Sequence, residues 1–111
     1  MEEIKKFKFE IGTDVQKVSD FDDADRTFLD KIFCKKEISY CLRKSSPAQH
    51  FAARFAVKEA VIKSFSQFGE RVNYLDIEIS LENKKPRIKL KRKLNHDYSV
   101  KVSMSHSGEY A

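Results

Sequence analysis

Two carboxylates and a serine–histidine turn are the parts of this 111-residue chain that could perform chemistry together. Asp14 follows a strand-like segment, Glu59 lies inside an apolar helical pattern, and residues 105–107 read Ser-His-Ser. Carboxylates with hydroxyls and waters suit a hard cation such as Mg²⁺, which takes few protein ligands and prefers substrate phosphates for the rest. The helix of Glu59 also carries cations that could balance phosphate charge, namely Arg54, Lys58 and Lys63. The residue types favour phosphoryl transfer but leave open whether the three groups meet in space.

Each of these groups also has a purely structural interpretation. Glu59 and Lys63 are four residues apart and could form an ordinary surface ion pair, which stabilises a helix by about 0.2–0.5 kcal/mol. Ser105 and His106 could simply be turn residues. A serine hydrolase is disfavoured because the sequence has no Gly-x-Ser-x-Gly elbow. A P-loop and a Gly-x-Gly-x-x-Gly loop are absent as well.

A long helix must position Glu59. Its start is predicted at Ser46 and Pro47, a capping residue followed by a residue favoured at the first helical position, and its end at Phe68 and Gly69. One face carries large apolar residues and another carries small residues suited to close packing: Phe51, Phe55, Ile62 and Phe65 on the first, Ala52, Ala53, Ala56 and Ala60 on the second. A helix that is apolar on most sides is buried, so its charged residues need partners or a function.

Shorter elements must surround this helix. Helical spacing occurs over residues 28–33 and 34–41; in the second stretch Glu37 occupies the acidic position of a capping box, although Cys34 is a poor cap.

Alternating apolar residues predict the strands, over residues 7–11, 75–81, 86–90 and 100–104. The second and third of these form a hairpin, and residues 109–111 look like the start of a further strand. We therefore expect a single domain over residues 1–111, incomplete in its last strand. Its fold is α+β: an antiparallel sheet of about four or five strands packed by one long helix and shorter helices.

The charge balance favours an anionic partner. The chain has 22 Lys and Arg against 17 Asp and Glu, with a pI near 9.2, and residues 84–93 alone hold seven of the basic residues. Nucleic acid is disfavoured because no aromatic residues are interleaved with that basic run. No apolar run of 18 residues and no secretory signal are found, so we expect no membrane partner and a cytoplasmic protein with both cysteines reduced.

Taken together, these motifs resemble the holo-acyl-carrier-protein synthase type of 4′-phosphopantetheinyl transferase. The matching sequences are I-G-T-D at residues 11–14, F-L-D-K-I-F…E…Y-C at 28–41, F-A-A-R-F-A-V-K-E-A-V-I-K at 51–63, D-I-E-I at 76–79, K-P at 85–86 and V-S-M-S-H-S-G-E-Y-A at 102–111. They follow the family's order over nearly the whole chain.

The resemblance implies Mg²⁺-dependent transfer of the 4′-phosphopantetheine arm of coenzyme A to a serine of an acidic acyl carrier protein, releasing adenosine 3′,5′-bisphosphate. It implies Asp14 and Glu59 as metal ligands and catalytic residues, with Glu59, or a metal-bound water beside it or Asp14, helping to deprotonate the serine. Lys63 would contact the phosphates and assist the leaving group. The implied coenzyme A contacts are Arg54, Lys58, Lys63, Lys85, Pro86, Ser105 and His106. A homotrimer with active sites between subunits is implied as well.

The sequence departs from the family's pattern at four positions. Lys17 and Asp20 stand where an acidic residue and a carrier-docking arginine are common, Lys84 replaces a glycine, and Cys34 replaces a capping threonine. Two other hypotheses therefore stay open: a non-catalytic basic module that binds coenzyme A or RNA, and a degenerate family member within a larger synthase.

Overall fold

The computed structural model describes residues 10–94 and 98–111. Three helices, α1 (Arg26–Ile32), α2 (Lys35–Leu42) and α3 (Pro47–Gln67), precede two antiparallel strands, β1 (Ile77–Glu82) and β2 (Lys85–Leu90). Short 3-10 turns lie before α1, at Val18–Phe21, and before β1, at Tyr74–Asp76. The α+β fold class is confirmed, and each helix lies close to its predicted position.

Helix α3 begins and ends at its predicted signals. Pro47 is its first residue after Ser46, and Phe68 is its C-cap, followed by Gly69 with a φ of 76°. Glycine adopts this left-handed conformation at little cost, which explains why the helix stops here.

Helix α3 supplies side chains to two hydrophobic cores. The first core joins the turn Val18–Phe21, α1 and α2 to the beginning of α3. The second packs the later part of α3 against β1, through Val57, Val61, Phe65, Val72, Ile77 and Ile79. The whole described fold is therefore arranged around this helix, as its apolar pattern predicted.

The strand prediction was only partly right. β1 and β2 pair from Ile77 with Leu90 to Glu82 with Lys85, but the described residues form two strands rather than four or five. Residues 7–9 lie outside the described residues, and residues 10–11 belong to no strand. Residues 100–104 alternate between half-buried and exposed as predicted, and their apolar side chains pack on the second core. These residues nevertheless form no strand. An alternating pattern determines which side chains face the core, but a strand also needs a neighbouring backbone with which to form hydrogen bonds.

The turn between β1 and β2 has two central residues with positive φ, Asn83 at 51° and Lys84 at 64°. This is the conformation of the tight two-residue hairpin turn in which glycine is preferred at the second position. Lys84 therefore adopts a conformation that disfavours any side chain with a Cβ atom.

The segment before the first turn lies directly on α3. A Cβ atom added to Gly12 would come closer than 3.0 Å to both the carbonyl oxygen of Ala60 and the hydroxyl of Ser64. Small residues on both sides, Gly12 and Ala60, thus allow the close approach that delivers Asp14 to the helix.

The last described residues fold back onto the same segment. The amide of Gln16 donates to the carbonyl oxygen of Ala111 at 2.7 Å, and the amide of Val18 donates to the carbonyl oxygen of Glu109 at 2.7 Å. The turn predicted at residues 105–108 lies instead at residues 107–110, around Gly108 with its φ of 57°. In the described part of the chain, no helix has the length and apolar character needed to cross a membrane.

Candidate active site

Asp14, Glu59 and Lys63 come together where the segment after Gly12 crosses α3. Nζ of Lys63 donates to Oδ1 of Asp14 at 3.0 Å, and Nε2 of Gln16 donates to Oδ2 at 2.6 Å. The Asp14 side chain is 12% exposed while that of Lys63 is 55% exposed. The carboxylate is therefore fixed by two donors, while the ammonium group remains accessible to an incoming anion. The alternative helical ion pair between Glu59 and Lys63 is not formed, because Lys63 turns to Asp14 instead.

Tyr74 binds one of the two carboxylates. Its hydroxyl donates a hydrogen bond to Oε1 of Glu59. That hydrogen bond and, next, burial raise the pKa of Tyr74 to about 12, and the negative charges of Glu59 and Asp14 contribute to the rise. Gly12 packs directly on Ala60, the residue after Glu59, and Asp14 pairs with Lys63, one turn further along α3, so the two predicted metal ligands lie in the same neighbourhood.

Lys58 lies away from this site. It is fully buried, and its Nζ donates to Oε1 of Glu37 at 2.8 Å, to the carbonyl oxygen of Ile32 at 2.8 Å and to that of Tyr74 at 3.0 Å. Burial lowers the pKa of Lys58, opposed by its pairing with Glu37. The expectation that Lys58 contacts a phosphate of coenzyme A is not met in this structure, because all three ammonium protons are directed at protein oxygens.

A second group of basic side chains lies at the beginning of α3, and we call it the basic cluster: Lys44, His50, Arg54 and His106. Nη1 of Arg54 donates to the carbonyl oxygen of His50 at 3.4 Å, and the centroids of the His50 and His106 rings are 5.7 Å apart. Burial lowers the pKa of His50, and the charges of Arg54, His106 and Lys44 lower it further. Arg54 and His106, two predicted phosphate contacts, therefore both lie beside His50.

Arg54 itself is 3% exposed and stacks over Tyr40, with its guanidinium carbon 4.3 Å from the ring centroid. Its buried Nε has no hydrogen-bond partner among the described residues. A buried donor without a partner is costly, so this atom marks a place where an anion or water would be stabilised.

A cavity of about 490 Å³ opens beside Arg54, between α2 and β1. Four cations and two carboxylates line it, together with Tyr40, Ser80 and Leu81 among others: Lys35, Lys36, Arg43 and Arg54, and Glu37 and Glu78. Pro86 is the strand partner of Leu81, and Lys85 is that of Glu82, so the predicted Lys85 and Pro86 contacts lie at the strand end next to this cavity. Ser105 is exposed beside His106.

The donors at the first site suit Mg²⁺. In residues 10–94 and 98–111, no group of three or more His, Cys, Asp or Glu side chains forms a metal site. Mg²⁺ needs no such group, because it is commonly held by one or two carboxylates together with waters and substrate phosphates. Asp14 and Glu59 therefore fit a cation whose coordination the substrate completes.

Two residues that build the site were missed by the sequence analysis. Tyr74 lies outside every motif that pointed to chemistry, and a single tyrosine before a strand gives no periodic signal. Gln16 was missed for the same reason. Glu37 was identified only as a capping residue; its Oε1 does accept from the amide of Cys34 at 2.9 Å, and it also pairs with Lys58.

The fold and the site together define an α+β protein with an acidic centre on its longest helix and a basic cluster near the start of that helix. The fold is that of known synthases. The structure of the Chronobacterium ammoniagenes ACPS–CoA complex matches with a TM-score of 0.79 at 24% identity, over 94% of this chain and 92% of that chain. The Bacillus anthracis holo-(acyl-carrier-protein) synthase in complex with CoA (3′,5′-ADP) matches with a TM-score of 0.73 at 26% identity, over 90% and 87%.

Sequence comparison identifies the family. The model of the 4′-phosphopantetheinyl transferase superfamily matches residues 10–111. The holo-[acyl-carrier-protein] synthase of Chlamydia felis is 40% identical over 109 residues, which cover 91% of this chain and 89% of that protein. The chain belongs to the 4′-phosphopantetheinyl transferase superfamily, and it is an enzyme of the phosphopantetheinyl transferase class. The resemblance seen in its sequence is confirmed.

Proposed function

We propose that this protein is a Mg²⁺-dependent holo-acyl-carrier-protein synthase. It transfers the 4′-phosphopantetheine group of coenzyme A to a serine of an acidic apo acyl carrier protein and releases adenosine 3′,5′-bisphosphate. The observation that carries the proposal is the convergence of Asp14, Glu59 and Lys63 on one part of α3, where Gly12 packs on Ala60 and Asp14 pairs with Lys63. The family membership and the synthase names of the relatives support the same reaction.

The reaction requires positioning and charge neutralisation more than a protein nucleophile. The serine oxygen forms a new bond to the phosphorus that carries pantetheine, and the bond from that phosphorus to the bridging oxygen of the pyrophosphate breaks. The serine proton passes to Glu59 or to a water beside it, and the bridging oxygen leaves with adenosine 3′,5′-bisphosphate.

Asp14 and Glu59 would hold the cation, and Lys63 would contact the phosphates. Bound Mg²⁺ would neutralise charge that develops on the pyrophosphate. Lys63 is well placed for its role because its ammonium group is anchored by Asp14 at 3.0 Å while its side chain remains more than half exposed. Binding of a pyrophosphate there would supply a second anionic partner without moving the lysine far.

The basic cluster would bind the nucleotide end of coenzyme A, with Arg54 and His106 as phosphate contacts and Lys85, Pro86 and Ser105 nearby. Arg54 and Glu59 are five residues apart on α3, which separates them by about 7.5 Å along the axis and about 140° around it. One chain therefore presents the basic cluster and the acidic centre, Asp14 and Glu59, on different sides of α3. This separation supports a homotrimer in which each active site combines the acidic centre of one subunit with the basic cluster of a neighbour.

Mass spectrometry of a carrier protein tests the activity. The protein is incubated with coenzyme A, Mg²⁺ and an apo acyl carrier protein, and the carrier is expected to gain one phosphopantetheine group. Asp14→Asn and Glu59→Gln should abolish this gain while leaving the circular dichroism spectrum unchanged. No gain with any of several apo carriers, together with binding of coenzyme A or RNA, would instead favour the non-catalytic binding module.

Mixed oligomers test the shared site. Glu59→Gln and His106→Ala should each be inactive alone. Unfolding and refolding them together should restore activity, because some interfaces then combine an intact acidic centre with an intact basic cluster. Light scattering after size exclusion should give the mass of three chains. Activity that stays absent in the mixture, or a monomeric mass, would contradict the shared site.

A further inference from the structure

We infer that Tyr74 is a positioning residue for Glu59: its phenol holds the carboxylate in place for cation binding without taking away its charge. This inference rests on the proposed function. Tyr74 itself touches neither substrate nor cation in this scheme, and it acts only through Glu59.

The geometry of the contact is specific. The hydroxyl of Tyr74 donates to Oε1 of Glu59, and no hydrogen bond to Oε2 is present among the described residues. A carboxylate has about four lone-pair directions on its two oxygens. One hydrogen bond therefore restrains the side chain and still leaves Oε2 open to a cation.

The chemical nature of the partner matters as much as its position. Lys63 is the cation that helical spacing offers to Glu59. In the structure Lys63 pairs with Asp14, and Glu59 receives a neutral donor instead. A phenol supplies the hydrogen bond while leaving the full negative charge of the carboxylate available.

Tyr74 can hold Glu59 because Tyr74 is fixed at three points. Its carbonyl oxygen accepts from Nζ of the buried Lys58 at 3.0 Å. Its ring packs on that of Phe55, with centroids 5.5 Å apart. It begins the 3-10 turn Tyr74–Asp76, which is closed by a hydrogen bond from the amide of Asn73 to Oδ2 of Asp76 at 2.9 Å. Both the backbone and the ring are thus held before the hydroxyl reaches the site.

Tyr74→Phe tests the inference, because it removes one oxygen atom and keeps the ring. Mn²⁺, used as a probe, is titrated by electron paramagnetic resonance into the protein with coenzyme A present, and carrier modification is measured against Mg²⁺ concentration. Loss of a residue that orients a metal ligand typically costs about 10–100-fold in metal affinity or activity. We expect the half-saturating Mn²⁺ and Mg²⁺ concentrations to rise about 10-fold or more, while the KM for coenzyme A at saturating Mg²⁺ changes little.

Tyr110→Phe is the matched control, since Tyr110 is 53% exposed and is held through its backbone. It should leave both concentrations at the wild-type values. Should Tyr74→Phe fold poorly, both titrations are referred to the folded fraction measured by circular dichroism, so that a weaker metal dependence of the folded molecules is separated from a loss of folded protein.

The outcomes separate this inference from the proposed function. If the wild-type protein neither binds Mn²⁺ nor modifies a carrier, the proposed function fails. If the wild type does both and Tyr74→Phe shows wild-type dependence on Mn²⁺ and Mg²⁺, the proposed function stands and the role of Tyr74 is refuted. Lower thermal stability alone, with unchanged metal dependence, would also refute it.

Discussion

Gly12→Ala is expected to impair both the stability and the activity of this protein through a single clash. The added Cβ atom would lie closer than 3.0 Å to the Ala60 carbonyl oxygen and the Ser64 hydroxyl. Ser64 can rotate, but the oxygen of Ala60 belongs to the backbone of α3 and cannot. Since non-bonded carbon atoms pack about 3.5–4.0 Å apart, the segment must move away from the helix by on the order of 1 Å.

The expected losses of unfolding free energy and of reaction rate both follow from this displacement. Overpacking of a close contact typically costs about 1–3 kcal/mol of unfolding free energy. Asp14 is two residues further along, so the same movement pulls its carboxylate away from Lys63, to which it is now 3.0 Å. A misplacement of about 1 Å in an active site can reduce the rate by on the order of 100-fold. We therefore expect a much larger loss of activity than the loss of stability explains.

Urea denaturation followed by circular dichroism measures the first effect, and carrier modification at saturating Mg²⁺ measures the second. Gly69→Ala is the matched control: its φ is 76°, but no atom lies within 4 Å of the added Cβ. It should lose about 1–2 kcal/mol from backbone strain and keep its activity per folded molecule. Wild-type stability and rate for Gly12→Ala would refute the close-packing argument, and equal rate losses in both variants would refute the link to Asp14.

Three further predictions concern buried groups and the hairpin. Lys58→Met leaves the Glu37 carboxylate buried and unpaired, so it should lower the free energy of unfolding, measured in urea, by about 3–5 kcal/mol. The KM for coenzyme A of the folded fraction should stay unchanged. A large rise in that KM would restore Lys58 as a phosphate contact. Lys84→Gly should stabilise the protein by about 0.5–1 kcal/mol because residue 84 has a φ of 64°, and a lower urea midpoint would contradict this. Burial raises the pKa of the Cys41 thiol from 9.0 to about 11, so its contribution to stability is complete below pH 9 and is lost as the pH rises from 9 towards 11. Native protein at pH 8 should therefore react with a thiol reagent only at Cys34. Rapid reaction of both cysteines would be inconsistent with the buried thiol.

The sequence was most informative where local physics decides the structure. The limits of α3 follow from Pro47 and Gly69, whose backbone preferences act without help from the rest of the chain. The hairpin followed from alternation on both sides of a short turn. Family motifs identified Asp14, Glu59 and Lys63, which the structure brings to one place.

Long-range contacts could not be predicted in this way. The motif that contains Lys58 suggested a phosphate contact, and only the three-dimensional arrangement reveals that Glu37 and two carbonyl oxygens occupy its ammonium group. Tyr74 acts on a residue 15 positions away, across a turn that no periodic pattern describes. Strand pairing at residues 100–104 likewise depends on which backbone lies alongside, and alternation carries no information about that.

Glu37 has a consequence for the β-hairpin that goes beyond its ion pair. Its Oε2 accepts a hydrogen bond from the amide of Ile79 at 3.1 Å, on the edge of β1 that does not face β2. An unpaired strand edge is a template for adding a foreign strand, and a side-chain carboxylate here occupies the position that such a strand would need. The Ile79 amide is therefore a local reporter: its hydrogen exchange measures how often α2 releases the hairpin and exposes that edge to other chains.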